Sequence, residues 1–277
     1  MRVALCFSGG IRTGIEASKN IKRFLGDLEP DVFIHTWDVD TFACTAQYPS
    51  TDILPAATFP INVSDLAKLK AIYKPKTVKV DVQSDIFQSN RHIHNKLFIH
   101  FGHPMIYSIQ QANLLKTKFE NDNGFKYDIV IRARFDCIFP MDAVNILKDI
   151  HLRPDFKDTI YCASISNKEQ WGLLEDVFWV GSSDNMNVIA DFWDVWENET
   201  AITFGYQWWW SAWQIKMFDL LKSKNINVVA ICPFSIYRAH HAENNIDPLD
   251  DSQFQWHTTD KITLNTWMAI RKNNEQT

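Results

Sequence analysis

The stretch Tyr127-Asp128-Ile129-Val130-Ile131-Arg132-Ala133-Arg134-Phe135-Asp136 constrains the fold more than any other part of the chain. Its apolar run Ile129-Val130-Ile131 does not alternate with polar residues, so both sides of the extended backbone must be covered there. It is too short and too rich in β-branched residues to read as a helix. A strand buried on both faces belongs in a mainly parallel sheet with helices above and below. The same reasoning applies to Val3–Phe7, which Ser8-Gly9-Gly10 stops, and to Asp31–Trp37. Between them, Ile15, Ile21, Phe24, Leu25 and Leu28 recur at helical spacing and predict a helix over 15–28, ended by Pro30. Further helices are expected over 64–73, with Asn62 or Ser64 as N-cap, and over 104–121, stopped by Gly124. Two more are expected over 183–196 and 207–222, and strands over 77–82, 159–163, 177–180 and 227–231. Segments 38–60 and 83–103 and the tail after Asn244 read as irregular. The expected class is α/β: one Rossmann-type domain over 1–277, with a mixed, mainly parallel sheet and helices on both faces.

Composition narrows the partners. Hydrophobic residues make up 46% and charged residues 22% of the 277, which is globular rather than disordered. With 28 Lys and Arg against 33 Asp and Glu, the net charge is −5, and no basic run exceeds two residues. A nucleic-acid surface shows a basic stripe, so nucleic acid is not an expected partner. An anionic ligand must instead meet a few placed cations. Cys6, Cys44, Cys137, Cys162 and Cys232 are far apart in sequence and mostly within apolar runs, as expected for free buried thiols in a reducing compartment. No apolar run approaches a signal peptide or a transmembrane span, so the expected location is the cytoplasm.

The chemistry concentrates where strands end. Arg132, Arg134 and Asp136 are spaced by two near the end of the strand, which is expected to put all three on one face. Ligands of open α/β sheets bind at the carboxyl ends of strands. Two readings follow: an internal ion network, or a site where Arg forks grip a diphosphate and Asp136 takes a divalent metal. The loop Ser8-Gly9-Gly10-Ile11-Arg12-Thr13 could cradle phosphate on its backbone N–H groups, with Arg12 adding charge, or be a plain turn. It also partly matches the pyrophosphatase loop of adenylating enzymes, with Arg12 in the place of that loop's Asp. His35 and Trp37-Asp38 could meet a base or ribose, or simply end their strand. Arg91 and His94 are candidate phosphate contacts, and the neighbouring histidines 92, 100 and 103 read as loop residues. Glu175 and Asp176 are the best local carboxylate pair for a general base. Trp208, Trp209, Trp210 and Trp213 could stack on sugar rings or fill a core.

The ordered segments SGGIRT, DVFIHTWD, MIYSIQQANLLK, YDIVIRARFD and VFWVGS resemble GT-A-like glycosyltransferases of capsule and lipopolysaccharide synthesis, a group with relatives in viruses. The likeness spans 3–182 and is weaker beyond. It implies a GT-A-like fold with a nucleotide-sugar half over about 1–140 and an acceptor half over about 141–270. It implies transfer of a sugar from a nucleotide-diphosphate sugar to a glycan or lipid-linked acceptor. It also implies Mn²⁺ or Mg²⁺ at Asp136, completed by His240 or His241. Where the family carries Asp-x-Asp, this chain reads Arg134-Phe135-Asp136. A non-catalytic nucleotide-sugar-binding or glycan-binding relative is the alternative.

Overall fold

The computed structural model describes residues 1–42, 57–88, 103–140, 146–163, 165–166, 173–174, 177–199, 212–231, 235–236 and 245–253. The chain opens with β1 (Val3–Ser8), α1 (Gly14–Leu25) and β2 (Asp31–Trp37). A hairpin of β3 (Val39–Phe42) and β4 (Ala57–Pro60) follows, then α2 (Val63–Tyr73), β5 (Thr77–Asp81) and α3 (Gln83–Gln88). The long helix α4 (His103–Asn123) leads to β6 (Ile129–Ala133), β7 (Cys137–Ile138), α5 (Ile146–His151) and β8 (Thr159–Cys162). After the short β9 (Ile165–Ser166) and β10 (Leu173–Leu174) come β11 (Phe178–Gly181), α6 (Ser183–Glu199), α7 (Ala212–Ser223), β12 (Asn227–Ala230) and β13 (Ser235–Ile236).

Seven strands form one sheet in the order β12-β8-β11-β6-β1-β2-β5. All neighbours are parallel except β11, which runs against both β6 and β8. Burial explains the apolar runs. Along β1, Val3, Leu5 and Phe7 face a core shared with α1, α2 and α5, while Ala4 and Cys6 face one shared with α4, α6 and α7. On β6, Ile129, Ile131 and Ala133 point to the first core and Val130 to the second. This is the mixed, mainly parallel sheet covered on both faces that the sequence predicts.

Local signals set most boundaries. Asn62 is the N-cap of α2, its Oδ1 accepting the Ser64 N–H at 2.9 Å. Gly124, at φ +66°, follows α4 as expected. Helix α1 stops before Gly26 rather than at Leu28, because Gly26 takes φ 60° and its N–H returns to the carbonyls of Lys22 and Arg23. Segment 38–60 is not all irregular: Val39–Phe42 pairs antiparallel with Ala57–Pro60. Segment 83–103 likewise holds α3, begun by the Asp38 carboxylate, which accepts the Gln83 N–H at 2.9 Å. Both elements depend on partners distant in sequence. Cys6, Cys137 and Cys162 are buried free thiols, and burial pushes the Cys6 and Cys137 thiols up to about 12. Among the described residues no helix is long and apolar enough to cross a membrane.

One buried ion pair joins α4 to α6. Lys116 Nζ lies 3.0 Å from Glu120 Oε2, both side chains being 3% exposed or less. Lys116 also donates to Ser183 Oγ at 2.6 Å and to Asn187 Oδ1 at 2.9 Å. Glu120 Oε1 accepts from the Ser183 hydroxyl and from the Tyr127 N–H. Every charge in the seam is matched, so removing one partner strands the other. Lys116→Met is expected to cost about 3–5 kcal/mol in urea denaturation, and the double variant Lys116→Met/Glu120→Leu to recover most of it.

Candidate functional site

The order of the central strands creates a crevice. The chain runs from β1 outward through β2 to β5, then returns across the sheet in α4 and continues on the other side of β1 in β6. The direction of winding therefore reverses between β1 and β6. At such a switch point the loops leaving two adjacent carboxyl ends part in opposite directions and leave room for a ligand. The loops here are Gly9–Thr13 after β1 and Arg134–Asp136 after β6.

These two loops meet through charge. Arg134 grips Asp136 in a fork, Nε to Oδ1 at 2.9 Å and NH2 to Oδ2 at 2.7 Å. Arg12 NH1 approaches Asp136 Oδ2 from the β1 side at 3.4 Å. The Asp136 side chain is 4% exposed, that of Arg134 18% and that of Arg12 31%. Burial alone would raise the Asp136 carboxyl, but the two guanidiniums outweigh it and hold Asp136 below the usual carboxylate range. Arg12 shifts downward, through burial first and the charge of Arg134 second, against the pull of Asp136 and Asp40. Arg12 thus stands beside two carboxylates, Asp136 and Asp40, and a second guanidinium, Arg134.

The loop after β1 is held by its own neighbours. Arg12 adopts φ 47°, a conformation that costs a side-chain-bearing residue energy and has to be imposed. Asp40, on the β3–β4 hairpin, imposes it: Oδ2 accepts the Arg12 N–H at 3.0 Å, while Oδ1 is buried with no hydrogen-bond partner among the described residues. Burial raises the Asp40 carboxyl, against the lowering effect of the Arg12 amide and of the Arg12 charge. A methyl group at Gly10 would lie 2.5 Å from Asp40 Oδ1, so only glycine admits the carboxylate. At Gly14 a methyl would meet Phe135 Cβ at 2.6 Å, so the start of α1 can sit against the β6 loop only without a side chain.

Gly9 is fixed by a second network. Its N–H donates to Ser108 Oγ at 2.7 Å. Ser108 Oγ lies 2.7 Å from His35 Nδ1, and His35 Nε2 lies 3.1 Å from Asp81 Oδ2. A carboxylate only accepts, so the proton sits on Nε2 and Nδ1 accepts the Ser108 hydroxyl. The serine oxygen is left to accept from Gly9. Asp81 also accepts from Tyr107 Oη at 3.0 Å and pairs with Lys79 at 2.8 Å. Burial raises the Asp81 carboxyl, and the hydrogen bonds from Lys79, His35 and Tyr107 more than reverse this. His35 is fully buried and its pKa falls to about 4, with burial the main cause.

Several expected roles change accordingly. The three charges after Ile131 do not share one face, because strand pairing in β6 ends at Ala133 and the chain turns at 135–136. Arg132 lies inside the α4–α6 layer, 1% exposed, with Nε donating to Ser8 Oγ at 2.9 Å and its guanidinium 5.0 Å from the Trp179 ring centroid. Only Arg134 and Asp136 join Arg12 at the crevice. Ser8 is buried beneath the loop, and His35, read as either a base or ribose contact or a plain strand end, is fully buried between Ser108 and Asp81. In the loop read as either a phosphate cradle or a plain turn, the Gly9 and Arg12 amides are bonded to Ser108 and Asp40. Trp37 is buried and stacks on Tyr107. Arg91, Glu175, Asp176, His240, His241 and the tryptophans at 208–210 lie outside the described residues, as do the histidines at 92, 94 and 100.

Asp40, Asp81, Ser108 and Gly14 carry the site and were not singled out by the sequence reading. Ser108 left a signal, since it falls between Met105 and Ala112 on the apolar stripe of α4, where a polar residue needs an internal partner. Asp40 left none, because its role arises from a hairpin contact.

The described residues do not fit a divalent cation at Asp136. Both carboxylate oxygens already accept guanidinium N–H groups, and no cluster of three His, Cys, Asp or Glu side chains that could hold an ion occurs among the described residues. Two like unit charges roughly 4 Å apart repel by about 4 kcal/mol at an effective dielectric near 20, and a divalent ion beside an arginine doubles that.

No known protein-family model matches the sequence, and no curated protein matches it. Among solved structures, the chain is similar to a protein of Desulfovibrio desulfuricans G20 whose provisional name is nucleotide-diphospho-sugar transferase. The two are 12% identical over 98% of each chain, with a TM-score of 0.40.

The His35 network generates a pH prediction. The folded protein keeps His35 neutral down to about pH 4, whereas the unfolded chain protonates it near 6.5. The unfolded state therefore binds the extra proton between those values. Stability is full above about pH 6.5 and falls as pH drops towards 4, by about 3 kcal/mol for this one group. Urea midpoints from pH 7.5 to 4 should show this loss, and His35→Gln should flatten that part of the profile while lowering stability at neutral pH.

Proposed function

We propose that the chain binds a nucleotide-diphosphate sugar at the crevice between β1 and β6 and transfers the sugar to a glycan or lipid-linked acceptor, as a GT-A-like glycosyltransferase. The observation that carries the reading is the convergence of Arg12 and Arg134 on the switch point of a mainly parallel sheet, where ligands of such sheets bind. The two guanidiniums suit a diphosphate, whose oxygens match the Arg fork. The ordered segments that resemble capsule and lipopolysaccharide glycosyltransferases support it from the sequence side.

Chemistry at such a site is mainly electrostatic. As the bond from the sugar to the diphosphate breaks, charge develops on the leaving oxygens, and a pre-placed guanidinium stabilises it without reorganising. Arg12 is placed for that by its constrained backbone and by Asp136. Asp136 in turn is neutralised and oriented by Arg134. Strand β11 enters the sheet from the same edge, Phe178 pairing opposite Ala133. Glu175 and Asp176 immediately precede that strand in sequence, and one of them would take the acceptor hydroxyl proton if the reaction inverts configuration. A non-catalytic nucleotide-sugar binder is the second reading, favoured by the full engagement of Asp136 with arginines.

Thermal-shift screening of UDP, GDP, CMP and dTDP sugars should single out one base class. At a hundredfold excess over Kd the gain is about 2.7 kcal/mol, or roughly 5–10 °C for a chain of this size. Arg12→Gln should weaken that ligand by roughly 10- to 100-fold, the loss of a charged hydrogen bond. Release of free nucleotide on adding acceptor glycans separates the transferase from the binder. A protein that no nucleotide sugar stabilises would overturn the reading.

A further inference from the structure

The Arg12–Asp136–Arg134 cluster also bears on how a diphosphate is held, an inference that rests on the reading above. Three features of the crevice point the same way. First, the single carboxylate at the end of β6 is saturated: Arg134 spans both of its oxygens and Arg12 adds a third contact. A metal could reach Asp136 only by displacing a bidentate arginine from a side chain that is 4% exposed. Second, Arg12 is the more exposed of the two guanidiniums, and its Nε is buried with no hydrogen-bond partner among the described residues. A buried donor without an acceptor is costly unless a ligand supplies one. Third, Arg12 is held from two directions, its backbone in a left-handed conformation by Asp40 and its side chain by Asp136. A flexible surface arginine has neither restraint.

We infer that this site binds the diphosphate of its nucleotide ligand without a divalent cation, the Arg12 guanidinium contacting the phosphate oxygens and Asp136 serving as an internal counter-ion that aims Arg12. Asp136 is then a positioning residue, not a metal ligand. The replacement of the expected first carboxylate by Arg134 fits this arrangement: the arginine supplies positive charge from within the chain. A cation added at Asp136 would meet two guanidiniums, whereas a phosphate oxygen can accept from Arg12.

The test is isothermal titration of the full chain with UDP, GDP, CDP and dTDP and with inorganic pyrophosphate, in excess EDTA and then in excess Mn²⁺, with Mn²⁺ alone as a further titrant. At least one nucleotide should bind in EDTA, with a Kd within about threefold of that in Mn²⁺, and Mn²⁺ alone should give no binding heat. Arg12→Gln should weaken binding tenfold or more in both buffers. Arg12→Lys, which keeps the charge and loses the fork, should fall between Arg12→Gln and the parent. Asp136→Asn should weaken binding to a similar degree with and without Mn²⁺. Melting curves of each variant establish that it is folded. Binding that appears only with Mn²⁺ and vanishes in Asp136→Asn overturns the inference while leaving the nucleotide reading intact. Binding in EDTA that Arg12→Gln leaves unchanged removes Arg12 from the site and overturns it too. Failure of every nucleotide and of pyrophosphate in both buffers sinks the nucleotide reading and the inference together.

Discussion

Strand β1 is paired in parallel along both edges and covered on both faces, and the rest of the molecule is arranged around that fact. A parallel neighbour cannot be reached by a tight turn, so the chain must leave the sheet and return through a helix each time. One return, through α1, places β2 on one side, and the longer return through α4 places β6 on the other. The two carboxyl-end loops therefore diverge, and the crevice between them is a consequence of topology before any side chain is considered. The residues lining it are supplied by whatever sequence follows the two strands, here a glycine-rich loop bearing Arg12 and the Arg134-Phe135-Asp136 turn.

The electrostatics of the region show how a chain with net negative charge holds both cations and carboxylates in its interior. Charge enters the interior only where it is matched. Lys116 and Glu120 neutralise one another between α4 and α6, and Asp81 draws hydrogen bonds from Lys79, His35 and Tyr107. At the crevice Arg12 and Arg134 share the Asp136 carboxylate, and Asp40 accepts the Arg12 N–H. The loop that presents Arg12 is held from both sides: a carboxylate takes the Arg12 N–H and a serine hydroxyl takes that of Gly9.

Much of the fold was legible because burial writes itself into short-range pattern. Apolar runs without alternation marked β1, β2 and β6, helical spacing marked α1 and α4, and Asn62 and Gly124 marked ends through local hydrogen bonding and backbone preference. The hairpin of β3 and β4 and the short α3 were not legible. Their hydrogen bonds run to Ala57–Pro60 and to Asp38, and no nearby residue signals that partner. The candidate site was legible in part. Arg12, Arg134 and Asp136 stood out as charges beside buried strands, but the period of two was carried past the point where strand pairing stops.

By itself the sequence determined the class of fold, the covered parallel sheet and the end of that sheet at which charge would gather, since these follow from which residues water excludes and from what a strand-to-helix connection requires. Tertiary structure alone decided what the charges do. It placed Arg132 in the core beside Trp179 and bonded His35 to Ser108 and Asp81. It brought Arg12 to Asp136 across 124 residues of chain. Pairings of that kind depend on the distances and angles between distant segments, and a one-dimensional pattern of charge carries neither.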